Sequence, residues 1–193
     1  GNNFPAGLIG GNDSESKYFS DLDNYKWAET EINALAEKNI INGKSAGIFE
    51  PDSDVLREEF VKMIVLAADK YDGKASVDFD DISRDDWSYS YVASAVKSGI
   101  IAGIGDNMFG AGRKITREDM AVIIARLLNG GTGESTESSF ADSDMIADYA
   151  KPAVSWAERT GLLKGDEGRF NPKAALSRAE AAVVLYRCMS FTN

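Results

Sequence analysis

Residues 79–125 read FDDISRDDWSYSYVASAVKSGIIAGIGDNMFGAGRKITREDMAVIIA, and the same pattern occurs twice more in this chain. The other copies start at Phe19 and Phe140. Three landmarks follow each start in the same order and at nearly constant spacing: a Gly, an aromatic residue and an Arg. They are Gly43, Phe49 and Arg57, then Gly103, Phe109 and Arg117, then Gly165, Phe170 and Arg178. A regular period of this kind is typical of modules that share a core.

Each copy predicts two helices joined by a loop. In the first copy, apolar residues at helical spacing predict a helix over about 27–38. An Asn or Gly then stands where a helix commonly ends in a left-handed residue. These residues are Asn39, Gly99 and Gly161. The second helix is predicted to begin near the repeated arginine, which is Arg57, Arg117 or Arg178.

The repeats predict an all-α fold in which three tandem helix-loop-helix repeats form a single-chain pseudo-threefold assembly around a shared helical core. The reason is that one unit of about 50 residues buries too little apolar surface to be stable alone. We expect the repeats at 18–70, 71–128 and 140–193. Residues 129–139 have the Gly-, Ser- and Thr-rich composition of a flexible tether. Residues 1–17 lack the basic start of a signal peptide and are expected to be a linker or a cloning remnant.

The composition excludes several classes of function. The 193 residues include 21 Lys+Arg, 31 Asp+Glu, one Cys and no His. Without His there is no His base, no Ser-His-Asp triad and no His metal ligand. A net charge of -10 disfavours broad binding to nucleic acid or anionic lipid. No apolar run approaches the roughly 20 residues of a membrane helix. We therefore expect no cofactor, no metal, no nucleic-acid partner and no membrane partner.

The repeated arginine is the first candidate for a functional residue. A cation in the first turn of a helix faces the positive end of the helix dipole, which costs about 0.3–1 kcal/mol. All three copies nevertheless place Arg there. Two interpretations stay open. The guanidinium could form a structural pair with a neighbouring Asp or Glu, or it could bind the carboxylate or phosphate of a ligand in bidentate fashion.

Other repeated residues also have a structural and a functional interpretation. The aromatic residues Trp27, Trp87 and Tyr149 could stack on a sugar ring, or they could cover the first helix of their own repeat. The glycines Gly43, Gly103 and Gly165 could let the backbone approach a ligand, or they could serve a turn. The aspartates Asp21, Asp81 and Asp142 are expected to cap or brace the start of the first helix. Cys188 stands at a core position and is expected to be a buried, inert thiol.

The motif series resembles the surface-layer homology (SLH) family. The residues that carry it in the first copy are Phe19-Ser20-Asp21, Trp27-Ala28, Ile40-Ile41-Asn42-Gly43, Phe49-Glu50-Pro51 and Arg57-Glu58-Glu59. The resemblance covers residues 19–190. It implies an extracellular module at the bacterial cell wall, which binds a secondary cell-wall polysaccharide ending in pyruvylated N-acetylmannosamine. It also implies that grooves between neighbouring repeats hold this sugar, with the arginine on the ketal carboxylate.

Three departures from the family pattern bear on the ligand-binding prediction. Leu56 replaces the usual Thr before Arg57, Ala111 replaces the usual Pro, and Tyr149 replaces the usual Trp. A missing hydroxyl cap costs about 1 kcal/mol. We therefore expect Arg117 and Arg178 to be more competent in binding than Arg57.

Three functions from different classes can be compared. The first is a carbohydrate-binding anchor without catalytic activity, expected to be a monomer as an isolated module. The second is a glycosidase with two carboxylates, although no acidic pair departs from the threefold pattern. The third is a protein-interaction scaffold, which would expose a broad apolar patch. The resemblance favours the anchor.

Overall fold

The fold is all-α, as the sequence predicts. The structure is a computed structural model that describes residues 18–132 and 135–191. Those residues form six α-helices and isolated β-bridges but no strand. The helices are α1 Lys26–Glu37, α2 Arg57–Ala67, α3 Tyr89–Lys97, α4 Arg117–Leu127, α5 Lys151–Arg159 and α6 Arg178–Met189, with a short 3-10 helix at Ser143–Met145. The linker predicted at 1–17 lies outside the described residues, as do residues 133 and 134 of the predicted tether.

The helices pair between repeats. The first helix of each repeat packs on the second helix of the repeat before it, which joins α3 to α2 and α5 to α4. The third pair joins α1, near the start of the chain, to α6, near its end. The three repeats therefore close into a ring, and each junction is made by the same kind of helix pair.

The second helix of each repeat is the more buried one. Eight of the eleven residues of α2 are buried, whereas three of the twelve residues of α1 are. A single hydrophobic cluster includes buried residues of all three repeats. Cys188 of α6 is fully buried in this cluster, and burial raises the pKa of its thiol to about 12. The thiol therefore stays protonated at neutral pH, as expected for an inert core residue.

A ring of backbone hydrogen bonds links the three repeats. The N–H of Val55 donates to the Leu176 carbonyl over 2.9 Å, and the N–H of Leu176 donates to the Ile115 carbonyl over 3.0 Å. The N–H of Ile115 closes the ring by donating to the Val55 carbonyl over 2.9 Å. All three side chains are buried. The pseudo-threefold axis therefore passes through a polar backbone contact as well as through packed helices.

The predicted helix ends are confirmed. Asn39, Gly99 and Gly161 have φ values of 57°, 71° and 73°, which is the left-handed conformation that ends a helix. Each second helix begins at its repeated arginine. The hydroxyls of Thr116 and Ser177 accept N–H bonds at the starts of α4 and α6, whereas Leu56 gives α2 no side-chain cap.

The described residues of the segment between the second and third repeats contact α5. The ring of Trp156 lies against Gly130, where a Cβ atom would come within 2.0 Å of it. Ser138 donates to the Glu158 carboxylate over 2.7 Å. The segment is thus attached at both of its described ends, and the flexible tether stays a prediction.

Candidate functional site

Three grooves lie between the repeats, and each contains one of the repeated arginines. Groove A contains Arg178, groove B contains Arg57 and groove C contains Arg117. Their volumes are about 230, 470 and 520 Å³, respectively.

Each groove combines residues of all three repeats. The predicted ligand-binding residues fall into three sets of one arginine, one glycine and one aromatic residue. The sets are Arg178, Gly43 and Trp87 in groove A, Arg57, Gly103 and Tyr149 in groove B, and Arg117, Gly165 and Trp27 in groove C. Helix pairing explains this arrangement, because the aromatic residue lies near the start of a first helix that packs on the second helix of the preceding repeat.

Each arginine reaches into the next repeat and binds a backbone carbonyl there. The Nε atom of Arg178 donates to the Phe49 carbonyl over 2.8 Å, and its Nη2 atom donates to Asn42 over 2.6 Å. Arg57 makes the same two bonds, to Phe109 over 2.9 Å and to Ala102 over 3.2 Å. Each side chain thus joins two repeats, which explains why the chain keeps a cation at an unfavourable end of the helix dipole.

Arg117 differs from the other two arginines. Its Nε atom donates to the Phe170 carbonyl over 2.8 Å, but in the part of the chain that the structure describes no carbonyl pairs with its Nη2 atom. Its side chain is 14% exposed, compared with 9% for Arg57 and 4% for Arg178. Groove C therefore offers the most accessible guanidinium.

Each guanidinium also lies over an aromatic ring and near an acid. The Cζ atom of Arg178 lies 4.4 Å from the centroid of the Phe49 ring. The Nη1 atom of Arg117 lies 3.1 Å from Glu180, while the corresponding distances are 3.6 Å from Arg57 to Asp119 and 4.0 Å from Arg178 to Glu59. Burial lowers the pKa of Arg57 and Arg178, and these acids partly offset that effect. Each guanidinium can thus form a structural pair with a neighbouring acid and also bind the anionic group of a ligand, so the two interpretations are compatible.

The aromatic residues are open to solvent. Trp27, Trp87 and Tyr149 are 56%, 57% and 61% exposed. The Nζ atom of Lys62 lies 5.7 Å from the Trp87 ring. The Tyr149 hydroxyl donates to Asp119 over 2.6 Å, and partial burial of this hydroxyl together with the bond raises the pKa of Tyr149. Since each ring borders a groove whose other walls come from the other two repeats, its exposed surface is available to a ligand.

The repeated glycines have a structural reason to be glycine. A Cβ atom on Gly43 would lie 2.6 Å from the Ile48 carbonyl oxygen and 2.9 Å from the Phe19 ring. Gly103 and Gly165 meet the same two obstacles, a carbonyl oxygen and the opening Phe. None of the three has a positive φ. Close packing therefore requires glycine here, and the same absence of a side chain leaves backbone exposed in the groove.

The prediction that the repeated aspartates cap or brace the start of the first helix is wrong. Their carboxylates bind the loop that precedes the second helix. The carboxylate of Asp21 accepts the N–H groups of Phe49 and Glu50 over 3.0 and 2.8 Å. Asp81 accepts three N–H groups and Asp142 accepts two in the corresponding loops. The constant spacing of 28 residues from each Asp to the following Phe is the signal that could have identified these partners. The aspartates thus fix the loop whose carbonyl receives the arginine.

These carboxylates should make the fold sensitive to acid. Burial by itself raises the pKa of Asp81, but the N–H groups of Phe109, Ala111 and Gly110 outweigh it, so this pKa lies below its ordinary value. The stabilisation is therefore complete above the unfolded pKa of about 3.9 and is lost as the pH falls through the lower folded pKa. We expect Asp81→Asn to lower the free energy of unfolding by about 2 kcal/mol at pH 7 and to flatten its decline below pH 4.

Urea unfolding at several pH values measures this effect. Asp144→Asn serves as the control, because Asp144 is an exposed aspartate that lines none of the three grooves. Equal pH profiles for the Asp81 variant and the unchanged protein would contradict the assignment.

Residues 18–132 and 135–191 contain neither a metal-ligand cluster nor a helix suited to crossing a membrane. In that part of the chain, no cluster of three or more His, Cys, Asp or Glu is arranged to hold a metal ion. No helix there has the length and apolar composition that crossing a bilayer requires.

The fold and the grooves define a class of protein, namely a single-chain helical-repeat module with three grooves between its repeats. The S-layer homology domain model matches residues 18–61, 78–121 and 139–182. The chain therefore belongs to the S-layer homology domain family.

Relatives of two kinds support this assignment. Exoglucanase XynX of Acetivibrio thermocellus is 33% identical over 194 residues, which are 98% of this chain and 17% of that protein. S-layer protein EA1 of Bacillus anthracis is 28% identical over 181 residues, which are 92% of this chain and 20% of that protein. The chain thus spans a fifth or less of the length of these relatives. The family and its relatives together support a module that attaches proteins at the cell wall.

Proposed function

We propose that the chain is a non-covalent anchor that binds a secondary cell-wall polysaccharide through terminal sugars of the pyruvylated N-acetylmannosamine type. The observation that carries this proposal is the threefold combination of an arginine, an exposed aromatic ring and a side-chain-free backbone segment in each groove. A guanidinium binds a carboxylate, an aromatic face supports a sugar ring, and exposed backbone groups bond ring substituents.

Groove C is the preferred site in this proposal. Its arginine, Arg117, keeps a terminal nitrogen without a carbonyl partner among the described residues, and its volume is the largest of the three grooves. Trp27 and Gly165 complete the same groove. The ketal carboxylate would bind the Nη2 atom of Arg117, and the sugar ring would lie against Trp27.

Binding here needs no chemical step. Several grooves on one module would engage several chain ends of a dense polymer layer, and the high local concentration would strengthen attachment beyond the affinity of one groove. The acidic surface is consistent with this mechanism, because only a few placed cations meet the ligand. We propose the extracellular cell wall as the location and a monomer as the functional state of the isolated module.

Sedimentation with cell-wall preparations tests the anchor against the protein-interaction scaffold. The expected result is that the chain sediments with walls that retain the secondary polysaccharide and stays in solution after this polymer has been extracted. Binding that survives extraction but is lost after protease treatment of the walls would instead identify a protein partner. Release of sugar from the wall during the assay would contradict an anchor without catalytic activity.

A further inference from the structure

Groove B carries more positive charge than the other two grooves. Arg57, Arg113 and Arg126 line it together with one carboxylate, that of Asp119. Groove A has Arg178 and Lys62 with Glu59. Groove C has Arg117, Lys164 and Arg187 with Asp166 and Glu180. The lining of groove B thus has a net charge of about +2, whereas the other two linings have about +1 each.

The two additional arginines of groove B, Arg113 and Arg126, are not common to all three repeats. Arg113 precedes Arg117 by four residues, where the other repeats have Ser53 and Ala174. Arg126 follows Arg117 by nine residues, where the first repeat has Leu66 and the third has Arg187. Neither Arg113 nor Arg126 forms an ion pair with any residue that the structure describes.

A glycine brings two of these arginines together. The Cδ atoms of Arg57 and Arg113 lie 3.3 and 3.6 Å from the position that a Cβ atom would take on Gly110. The corresponding residues in the other repeats are Glu50 and Asn171, which also have a positive φ. Glycine at this position removes an acidic or polar side chain. The side chains of Arg57 and Arg113 can therefore lie next to each other.

The charges in this cluster repel one another. Arg113 and Arg126 both lower the pKa of Arg57, in addition to the larger effect of burial. Asp119 opposes this effect, but its other oxygen already accepts the Tyr149 hydroxyl over 2.6 Å. An anion with more than one negative charge would relieve the repulsion, and a single carboxylate on Arg57 would leave Arg113 and Arg126 without a partner.

We infer that groove B binds a glycan segment with two acidic groups, one at Arg57 and a second at Arg113 and Arg126. This inference rests on the proposed function and specifies the ligand of one of its grooves. The second group is a carboxylate or phosphate on the sugar next to the pyruvylated one. Grooves A and C would bind the singly charged sugar and would not prefer the doubly charged segment.

Two synthetic disaccharides test the inference. Both carry pyruvylated N-acetylmannosamine, which is linked to glucose in the first probe and to glucuronic acid in the second. NMR titration of the ¹⁵N-labelled chain follows each groove separately through the amides of Gly43, Gly103 and Gly165. In groove B we expect the doubly charged probe to bind about tenfold more tightly than the singly charged one, since each exposed ion pair contributes up to about fivefold.

Variants assign the effect to the two arginines. Arg113→Gln combined with Arg126→Gln should abolish the preference in groove B, and 0.5 M NaCl should weaken it in the unchanged chain. Lys114→Gln is the matched control, because Lys114 is a neighbouring cation that pairs with Asp54 over 2.6 Å outside the groove.

The outcomes separate this inference from the proposed function. Equal affinity of groove B for both probes, or a preference that persists in the double variant, would overturn the inference while leaving sugar binding intact. Failure of both probes to bind any groove would overturn the proposed function and this inference together.

Discussion

Replacing Arg178 by Ala is expected to lower the free energy of unfolding by about 3 kcal/mol. The side chain is 4% exposed, and it donates to the carbonyls of Phe49 and Asn42, which lie 129 and 136 residues earlier in the chain. Alanine would leave the Phe49 carbonyl, which lies in a buried contact, without its charged donor. Removing one member of a buried charged contact typically costs about 3–5 kcal/mol, which is a large fraction of the roughly 5–15 kcal/mol stability of an ordinary domain.

Urea unfolding at pH 7 measures this loss. Arg159→Ala is the matched control, because Arg159 is exposed and lies outside the three grooves. It should change the free energy of unfolding by less than about 0.5 kcal/mol. Arg178→Lys keeps the charge but loses the planar guanidinium. Its loss in the free energy of unfolding should lie between those of Arg178→Ala and Arg159→Ala. If Arg178→Ala unfolded with the same free energy as the Arg159→Ala control, the inter-repeat contact would contribute little to stability.

Replacing Arg117 by Gln is expected to have the largest effect on binding. Arg117 makes one carbonyl bond instead of two, so this substitution should leave the fold largely intact. It removes the cation that would meet the ketal carboxylate in groove C. Charged hydrogen bonds contribute about 1.5–3 kcal/mol, so the affinity of groove C for pyruvylated N-acetylmannosamine should fall about 10- to 100-fold.

Calorimetry with the pyruvylated monosaccharide follows this change, and unfolding measurements verify that the variant is folded. Arg117→Lys tests whether the guanidinium group itself is needed, since lysine keeps the charge and loses the planar group. Arg159→Gln makes the same chemical change outside the grooves and should leave the affinity unchanged. If Arg117→Gln bound the sugar as tightly as the unchanged chain, the arginine would be only a link between repeats.

The repeat made most of the fold predictable from the sequence. Landmarks in register located the helices closely, because caps and left-handed end residues such as Gly99 and Gly161 act locally. The pairing of α1 with α6 was not predicted in detail, because it depends on how three similar surfaces meet. The backbone ring through Val55, Ile115 and Leu176 also escaped sequence analysis, because backbone hydrogen bonds leave no pattern of residue types.

The candidate site was predicted in its parts but not in its assembly. The sequence identified Arg117, Trp27 and Gly165 separately, and the structure brings these three from three different repeats into one groove. The additional cations Arg113 and Arg126 were missed, because neither is present in all three repeats and the sequence prediction used only residues common to the three. Deviations from the repeat therefore carry information about differences between grooves.

We propose that the repeated arginines receive a ketal carboxylate. Calorimetric titration of the chain with purified secondary cell-wall polysaccharide, before and after removal of its pyruvate groups, tests this contact. We expect saturable binding to the pyruvylated polymer and loss of that binding once pyruvate has been removed. Equal affinity for the two polymers would contradict the carboxylate mechanism.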